Sequence, residues 1–180
     1  GYEEALGYTV GTVARDKDGV GAAAVFAEMT AVALSQGRTI QQELERLARE
    51  YGLYVSAQIN VTKKGVDGPA QISAIMDFLR KTNPTRFGDF VVEQTRDVKT
   101  GVARRGDQTS PLDLPSSNVL MFDLSNGARV IARPSGTEPK IKYYFDLCEK
   151  VGENEAFADA QARALSNLEQ LKEAFVASIC

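Results

Sequence analysis

The apolar positions along the chain fall into two rhythms. Residues 19–36 are apolar on nearly every side, with Val20, Phe26, Met29 and Leu34 among them, a pattern that predicts a helix buried on several faces. Asp16 or Asp18 stands where an N-cap belongs, and Gly37 stands where the helix must stop. Thr39 then caps a second helix with Ile40, Leu44, Leu47, Ala48 and Tyr51 along one stripe, and Gly52 ends it. From residue 53 the period shortens. Residues 53–61 alternate as a strand does, 63–67 form a polar turn, and 69–81 carry Ile72, Ile75, Met76 and Leu79 on one helical face. Residues 90–98 read as a strand and 99–117 as a long polar loop. Two further strands, 118–124 and 128–133, flank Asn126 and Gly127, a two-residue hairpin signal. In 140–148, Ile141, Tyr143, Phe145 and Leu147 share one face while Lys140, Lys142 and Tyr144 share the other. A final helix covers roughly 154–178, apolar at Phe157, Ala160, Ala164, Leu168, Leu171 and Phe175.

This order predicts two units. Residues 1–52 are a helical piece in which acidic side chains outnumber basic ones; residues 53–180 hold equal numbers of each. The second unit has strands in the middle, a helix early and a helix at the end. That arrangement predicts an α+β layer, an antiparallel sheet covered by two helices on one face.

Between the last two strands lies the densest chemistry, Ala-Arg-Pro-Ser-Gly-Thr-Glu-Pro-Lys over residues 132–140. The prolines fix the loop's ends, and Gly136 is expected to give its centre a left-handed turn. Such a turn can aim successive backbone N–H groups at one anion. Arg133 adds a planar fork for two phosphate oxygens, Ser135 and Thr137 add short donors, and Lys140 and Lys142 add charge. A plain tight turn has the same spacing, so spacing alone leaves both readings open.

The run R-P-S-G-T-E-P-K-I-K-Y-Y from Arg133 to Tyr144 closely resembles the phosphate-binding loop in the last domain of the α-D-phosphohexomutases. These are the phosphoglucomutases, phosphomannomutases and phosphopentomutases. A second stretch, G-Y-E-E-A-L-G-Y over residues 1–8, resembles the sugar-binding loop of the family's third domain. The resemblance implies that Arg133, Ser135, Gly136 and Thr137 grip a phosphate, with Lys140 or Lys142 supplying the charge of an arginine that the family often has where Tyr144 stands. It implies that Glu3 and Glu4 accept hydrogen bonds from sugar hydroxyls. Many relatives have a serine where this chain has Ala5, and the E-E-A form is most similar to the phosphopentomutase and glucose-bisphosphate-handling branch. The R-D-K-D-G stretch at 15–19 opens like a calcium loop but lacks the later acidic ligands; its match in the family implies Lys17 as a phosphate or sugar contact.

Family members have four domains around one cleft, so the resemblance implies that residues 1–52 are the tail of an α/β third domain. Residues 53–180 are then a fourth domain similar to the TATA-binding-protein fold. The first domain's phosphoserine and the second domain's Asp-rich loop for Mg2+ have no counterpart in these 180 residues. The expectation is therefore a chain with no catalytic residue and no ligand for Mg2+. It binds a phosphosugar that reacts through a sugar bisphosphate, works with N-terminal domains of the same enzyme, and is inactive alone. The alternatives are a stand-alone phosphosugar-binding module and an interaction domain whose loop is only a turn.

Composition narrows this picture. A net charge of −3 argues against general nucleic-acid or membrane-surface binding. No run approaches the 18 or so apolar residues of a membrane span, and no signal-peptide pattern opens the sequence, so the cytoplasm is the expected compartment. The absence of histidine excludes His-based acid–base chemistry and His-ligated zinc. Cys148 and Cys180 make neither a disulfide framework nor a metal pair. Asn60-Val61-Thr62 matches a glycosylation acceptor but, without a secretion signal, reads as chance. Because helix 19–36 has more apolar surface than the rest of its unit can cover, a homo-oligomer is expected.

Overall fold

The computed structural model describes residues 1–3 and 6–179. It divides into two compact units, Gly1–Tyr51 and Gly52–Cys180. The first unit contains a short hairpin, β1 (Tyr2–Glu3) and β2 (Gly7–Tyr8), followed by α1 (Gly19–Ser35) and α2 (Ile40–Tyr51). Asp18 is the N-cap of α1, its carboxylate accepting from the Gly21 N–H at 2.9 Å. A capping box opens α2: the Thr39 hydroxyl accepts from the Gln42 N–H, and the Gln42 side chain accepts from the Thr39 N–H at 2.8 Å. Ion pairs Arg46–Glu43, Arg46–Glu50 and Arg49–Glu45 lace its exposed face.

The expectation that α1 is buried on several sides is not met within this unit. Only Ala33 of that helix is buried, while Val20, Phe26 and Leu34 are more than half exposed. The described part of the unit offers one further helix and a two-stranded hairpin, too little surface to cover a helix that is apolar all round. Among the described residues, no single helix is long and apolar enough to cross a membrane.

The second unit is an antiparallel sheet. Its strands are β3 (Leu53–Thr62), β4 (Arg86–Phe87), β5 (Phe90–Asp97), β6 (Val102–Arg105), β7 (Gln108–Pro111), β8 (Leu120–Leu124), β9 (Arg129–Pro134) and β10 (Lys140–Glu149). They run in the order β3-β10-β9-β8-β5-β6-β7, with β4 beside β5. Helices α3 (Gly68–Thr82) and α4 (Phe157–Ser178) complete the unit. Both pack on the face where β10 presents Ile141, Tyr143, Phe145 and Leu147, all fully buried. Phe175 of α4 sits at the centre of that layer. Its ring meets Phe87, Tyr143 and Phe145 edge-on at centroid distances of 5.0, 5.0 and 5.5 Å. The α+β layer with two helices on one face is thus the architecture of the unit.

Two local expectations are corrected. The polar stretch 99–117 is not one long loop, since β6 and β7 pair within it as a hairpin. Its turns are supplied by Gly101 and Gly106, both with positive φ, and its residues are polar because the hairpin forms the sheet's exposed edge. The turn between β8 and β9 has three residues rather than two. The Leu124 N–H donates to the Ala128 carbonyl, and only Gly127 takes positive φ, 79°. Asn126 stays out of the left-handed region because its side-chain oxygen accepts from the Ala128 N–H, which favours a turn with a single glycine bulge.

Candidate phosphate-binding site

The sheet face away from the helices carries the chemistry. Alternation along β10 sends Lys140, Lys142, Tyr144 and Asp146 to that side, because their neighbours fill the core. Arg129 and Arg133 of β9 point the same way, since Val130 and Ala132 are buried. Two cations on this face are answered by carboxylates across the strands. Arg129 binds Asp146 at 2.6 Å, and Arg96 of β5 binds Asp123 of β8 at 2.6 Å.

At the end of the sheet the pattern reverses. Arg133 lies directly opposite Lys142 in the β9–β10 register. Among the described residues neither makes an ion pair or a hydrogen bond through its side chain. Two like charges facing each other across an antiparallel pair repel, and no carboxylate among the described residues pairs with either. Arg133 is exposed and Lys142 half-buried. The fork and the ammonium are therefore open to a ligand.

The loop beyond Arg133 is tied at its base and tip. The Ser135 N–H donates to the Lys140 carbonyl at 2.7 Å, and the Lys63 N–H donates to the Pro139 carbonyl at 2.9 Å. The Thr137 and Glu138 N–H groups converge on the Ser135 hydroxyl oxygen at 3.4 and 3.3 Å. Gly136 is corrected here, for it is not among the glycines with positive φ. The serine side chain folds the loop by accepting from the amides two and three residues on, so a left-handed centre is not needed. No atom lies within 4 Å of the Cβ that Gly136 lacks, leaving the loop's crest open. Lys140 turns back on its own loop, 3.3 Å from the Glu138 carboxylate, and so is less available than Lys142.

In the first unit, Glu3 and Lys17 meet over Gly7. A Cβ on Gly7 would fall 2.5 Å from Glu3 Oε1 and 2.6 Å from Lys17 Cδ. The ammonium of Lys17 binds Asp16 at 3.1 Å, and its pKa is raised first by that hydrogen bond, then by the charges of Asp16 and Glu3. Leu6, exposed in the same hairpin, has φ of 59°, a conformation rare for a branched side chain. Glu4, the other acidic residue expected to hold sugar, lies outside the described residues.

One side of the row of Lys142 and Arg133 was not legible from the sequence. Strand β3 pairs with β10 so that Asn60 lies opposite Lys142 and Thr62 opposite Lys140. Only the long-range pairing reveals that neighbour. Among the described residues no three carboxylate or thiol side chains come close enough to hold a metal ion. The donor set for Mg2+ does not fit there.

Residues 57–164 match the family described as phosphoglucomutase/phosphomannomutase, C-terminal domain. A probable phosphomannomutase of Haemophilus influenzae is 40% identical over 148 residues, covering 81% of this chain and 27% of the relative. A human glucose 1,6-bisphosphate synthase is 35% identical over 154 residues, 82% of this chain and 24% of the relative. A probable phosphoribomutase of Schizosaccharomyces pombe is 36% identical over 152 residues, 79% and 25% respectively. The chain spans about a quarter of the length of these curated relatives. Among solved structures, the open form of the exocytosis-sensitive phosphoprotein parafusin, a Paramecium phosphoglucomutase, shares the fold. It superposes with a TM-score of 0.51 at 15% identity, covering 90% of this chain and 28% of that one. The chain belongs to the phosphoglucomutase/phosphomannomutase family, whose C-terminal domain it carries.

Proposed function

We propose that this chain is the substrate-holding C-terminal part of an enzyme that interconverts sugar 1-phosphates with 6- or 5-phosphates through a bisphosphate. The observation that carries the reading is the pair of unanswered cations, Arg133 and Lys142, opposed across β9 and β10 beside a loop whose amides converge. The Arg133 guanidinium takes two phosphate oxygens, Lys142 offsets the second charge, and Thr137 and the loop amides donate to the rest. Ser135 gives up its internal hydrogen bonds to the anion. Glu3 and Glu4 accept from the sugar hydroxyls, and Lys17 contacts the sugar or a phosphate.

The cradle grips the phosphate that is not being transferred. A bisphosphate must turn round between the two half-reactions, so one cradle has to accept either end. Holding a dianion away from the reacting centre supplies binding energy that the complete enzyme can use for orientation and closure. By itself it binds ground and transition states about equally, and so raises no chemical rate. Phosphoryl transfer also needs a phosphorylated nucleophile and charge stabilisation, which in the family come from upstream domains. Those domains are the chain's partners in this reading, a cytoplasmic one in which the full-length enzyme takes Mg2+.

The test is a coupled assay with glucose 1-phosphate, mannose 1-phosphate and ribose 1-phosphate, each with magnesium and a sugar bisphosphate. The 180-residue chain should give no product. A longer protein that includes a phosphoserine loop and an Asp-rich loop should turn over at least one of the three, and Arg133→Ala in it should lower kcat/KM by roughly ten- to a hundredfold. Turnover by the 180-residue chain alone overturns the proposal.

A further inference from the structure

Across three neighbouring strands, Asn60, Lys142 and Arg133 stand in one row, and Thr62 and Lys140 stand in the next. Asn60 and Thr62 are both exposed, and two residues apart on a strand they share a face. The position beside Lys142 is one where a carboxylate would neutralise the ammonium, as Asp146 does for Arg129. It holds an amide instead. The Gln58 side chain, one step back on the same face, donates to the Asn60 side-chain oxygen at 2.7 Å. That hydrogen bond engages the oxygen of Asn60 and leaves its N–H donors without a hydrogen-bond acceptor among the described residues, at the position opposite Lys142. An anion lying across the row satisfies all three residues at once.

We infer that Asn60 and Thr62 form a third wall of the phosphate site, Asn60 donating to a phosphomonoester oxygen while Gln58 positions its amide. The inference rests on the reading of the Arg133 loop as a phosphate cradle. It gives the Asn-Val-Thr motif a role in ligand binding rather than in modification. A carboxylate at the position of Asn60 would compete with the ligand for Lys142.

Inorganic phosphate and glucose 6-phosphate serve as probes, titrated into the 180-residue chain by calorimetry. Thermal unfolding of each variant verifies that the fold is kept. Arg133→Ala reports on the cradle. Asn60→Ala should weaken both probes about tenfold, the scale of one hydrogen bond to a charged group. Asn60→Asp, which places a carboxylate opposite Lys142, should weaken them further, and Thr62→Val by several-fold. Gln58→Ala should weaken binding several-fold in the native protein and add nothing to Asn60→Ala, as expected of a residue that acts through Asn60. If Arg133→Ala weakens binding while Asn60→Ala and Asn60→Asp do not, the third wall is wrong and the cradle stands. If Arg133→Ala has no effect, or the native chain binds neither probe saturably, the cradle reading and this inference fall together.

Discussion

Replacing Lys142 by methionine should move stability and phosphate affinity in opposite directions. Directly opposed residues on antiparallel strands have Cβ atoms about 4.5–5.5 Å apart, and two long side chains can splay their charged ends to roughly 7 Å. At that distance two unit charges repel by about 0.6 kcal/mol in water and about 2 kcal/mol at an effective dielectric of 20. Arg133 is exposed and Lys142 half-buried, so the repulsion lies near the lower value. Methionine keeps the apolar stem of lysine and removes only the charge. Lys142→Met should therefore stabilise the free chain by roughly 0.3–1 kcal/mol at low salt. The gain should shrink toward zero near 1 M salt, where screening acts within about 3 Å. The same change should lower phosphate affinity by about 1.5–3 kcal/mol, the worth of one charge-assisted hydrogen bond. Arg129→Met is the internal control on the same face. Arg129 binds Asp146 at 2.6 Å, so its removal should cost about 0.2–1 kcal/mol and leave phosphate binding alone. Urea unfolding at two salt concentrations, with calorimetric phosphate titration, measures all of this. A Lys142→Met chain that is destabilised like Arg129→Met, or that binds phosphate as well as the native chain, would refute the reasoning.

Phe175→Ala should destabilise the second unit by about 3–5 kcal/mol, because it empties the centre of a ring cluster with three edge-on partners; a loss below about 1.5 kcal/mol in urea unfolding would contradict the packing. Gly52→Ala should cost about 1–3 kcal/mol, seen as a lowered midpoint in a thermal melt, since Gly52 has φ of 101° and a Cβ there would lie 2.5 Å from Cys148 Sγ. Glu43 has its pKa lowered, first by the hydrogen bond from Arg46. Its contribution to α2 is therefore present above the ordinary carboxylate pKa and lost as pH falls through the depressed folded value. Helicity followed by circular dichroism from neutral to acid pH should show that loss, and Glu43→Gln should flatten it.

Much of the second unit was determined by sequence alone, because its signals are local. The alternation in 140–148 is a property of consecutive residues, and it correctly sorts Tyr143 and Phe145 to the core and Lys142 to the open face. The stripe of Ile72, Met76 and Leu79, and that of Ala160, Ala164, Leu168 and Phe175, likewise identify α3 and α4. Arg133 and its loop stood out through the resemblance of the run from Arg133 to Tyr144 to a known family's loop, since the spacing alone also fits a plain turn. What the sequence hid has other causes. The β6–β7 hairpin lacks alternation because Gln108–Pro111 forms an edge strand exposed throughout, so no buried face imprinted a period. The centre of the loop after Arg133 followed Ser135's hydrogen bonds rather than the freedom of Gly136, a competition between two local devices that residue identity cannot settle. Helix α1 looked like a core helix by composition, yet burial depends on what surrounds it. The row of Asn60, Lys142 and Arg133 joins strands separated by about eighty residues of chain, and only the closing of β3 onto β10 made neighbours of them.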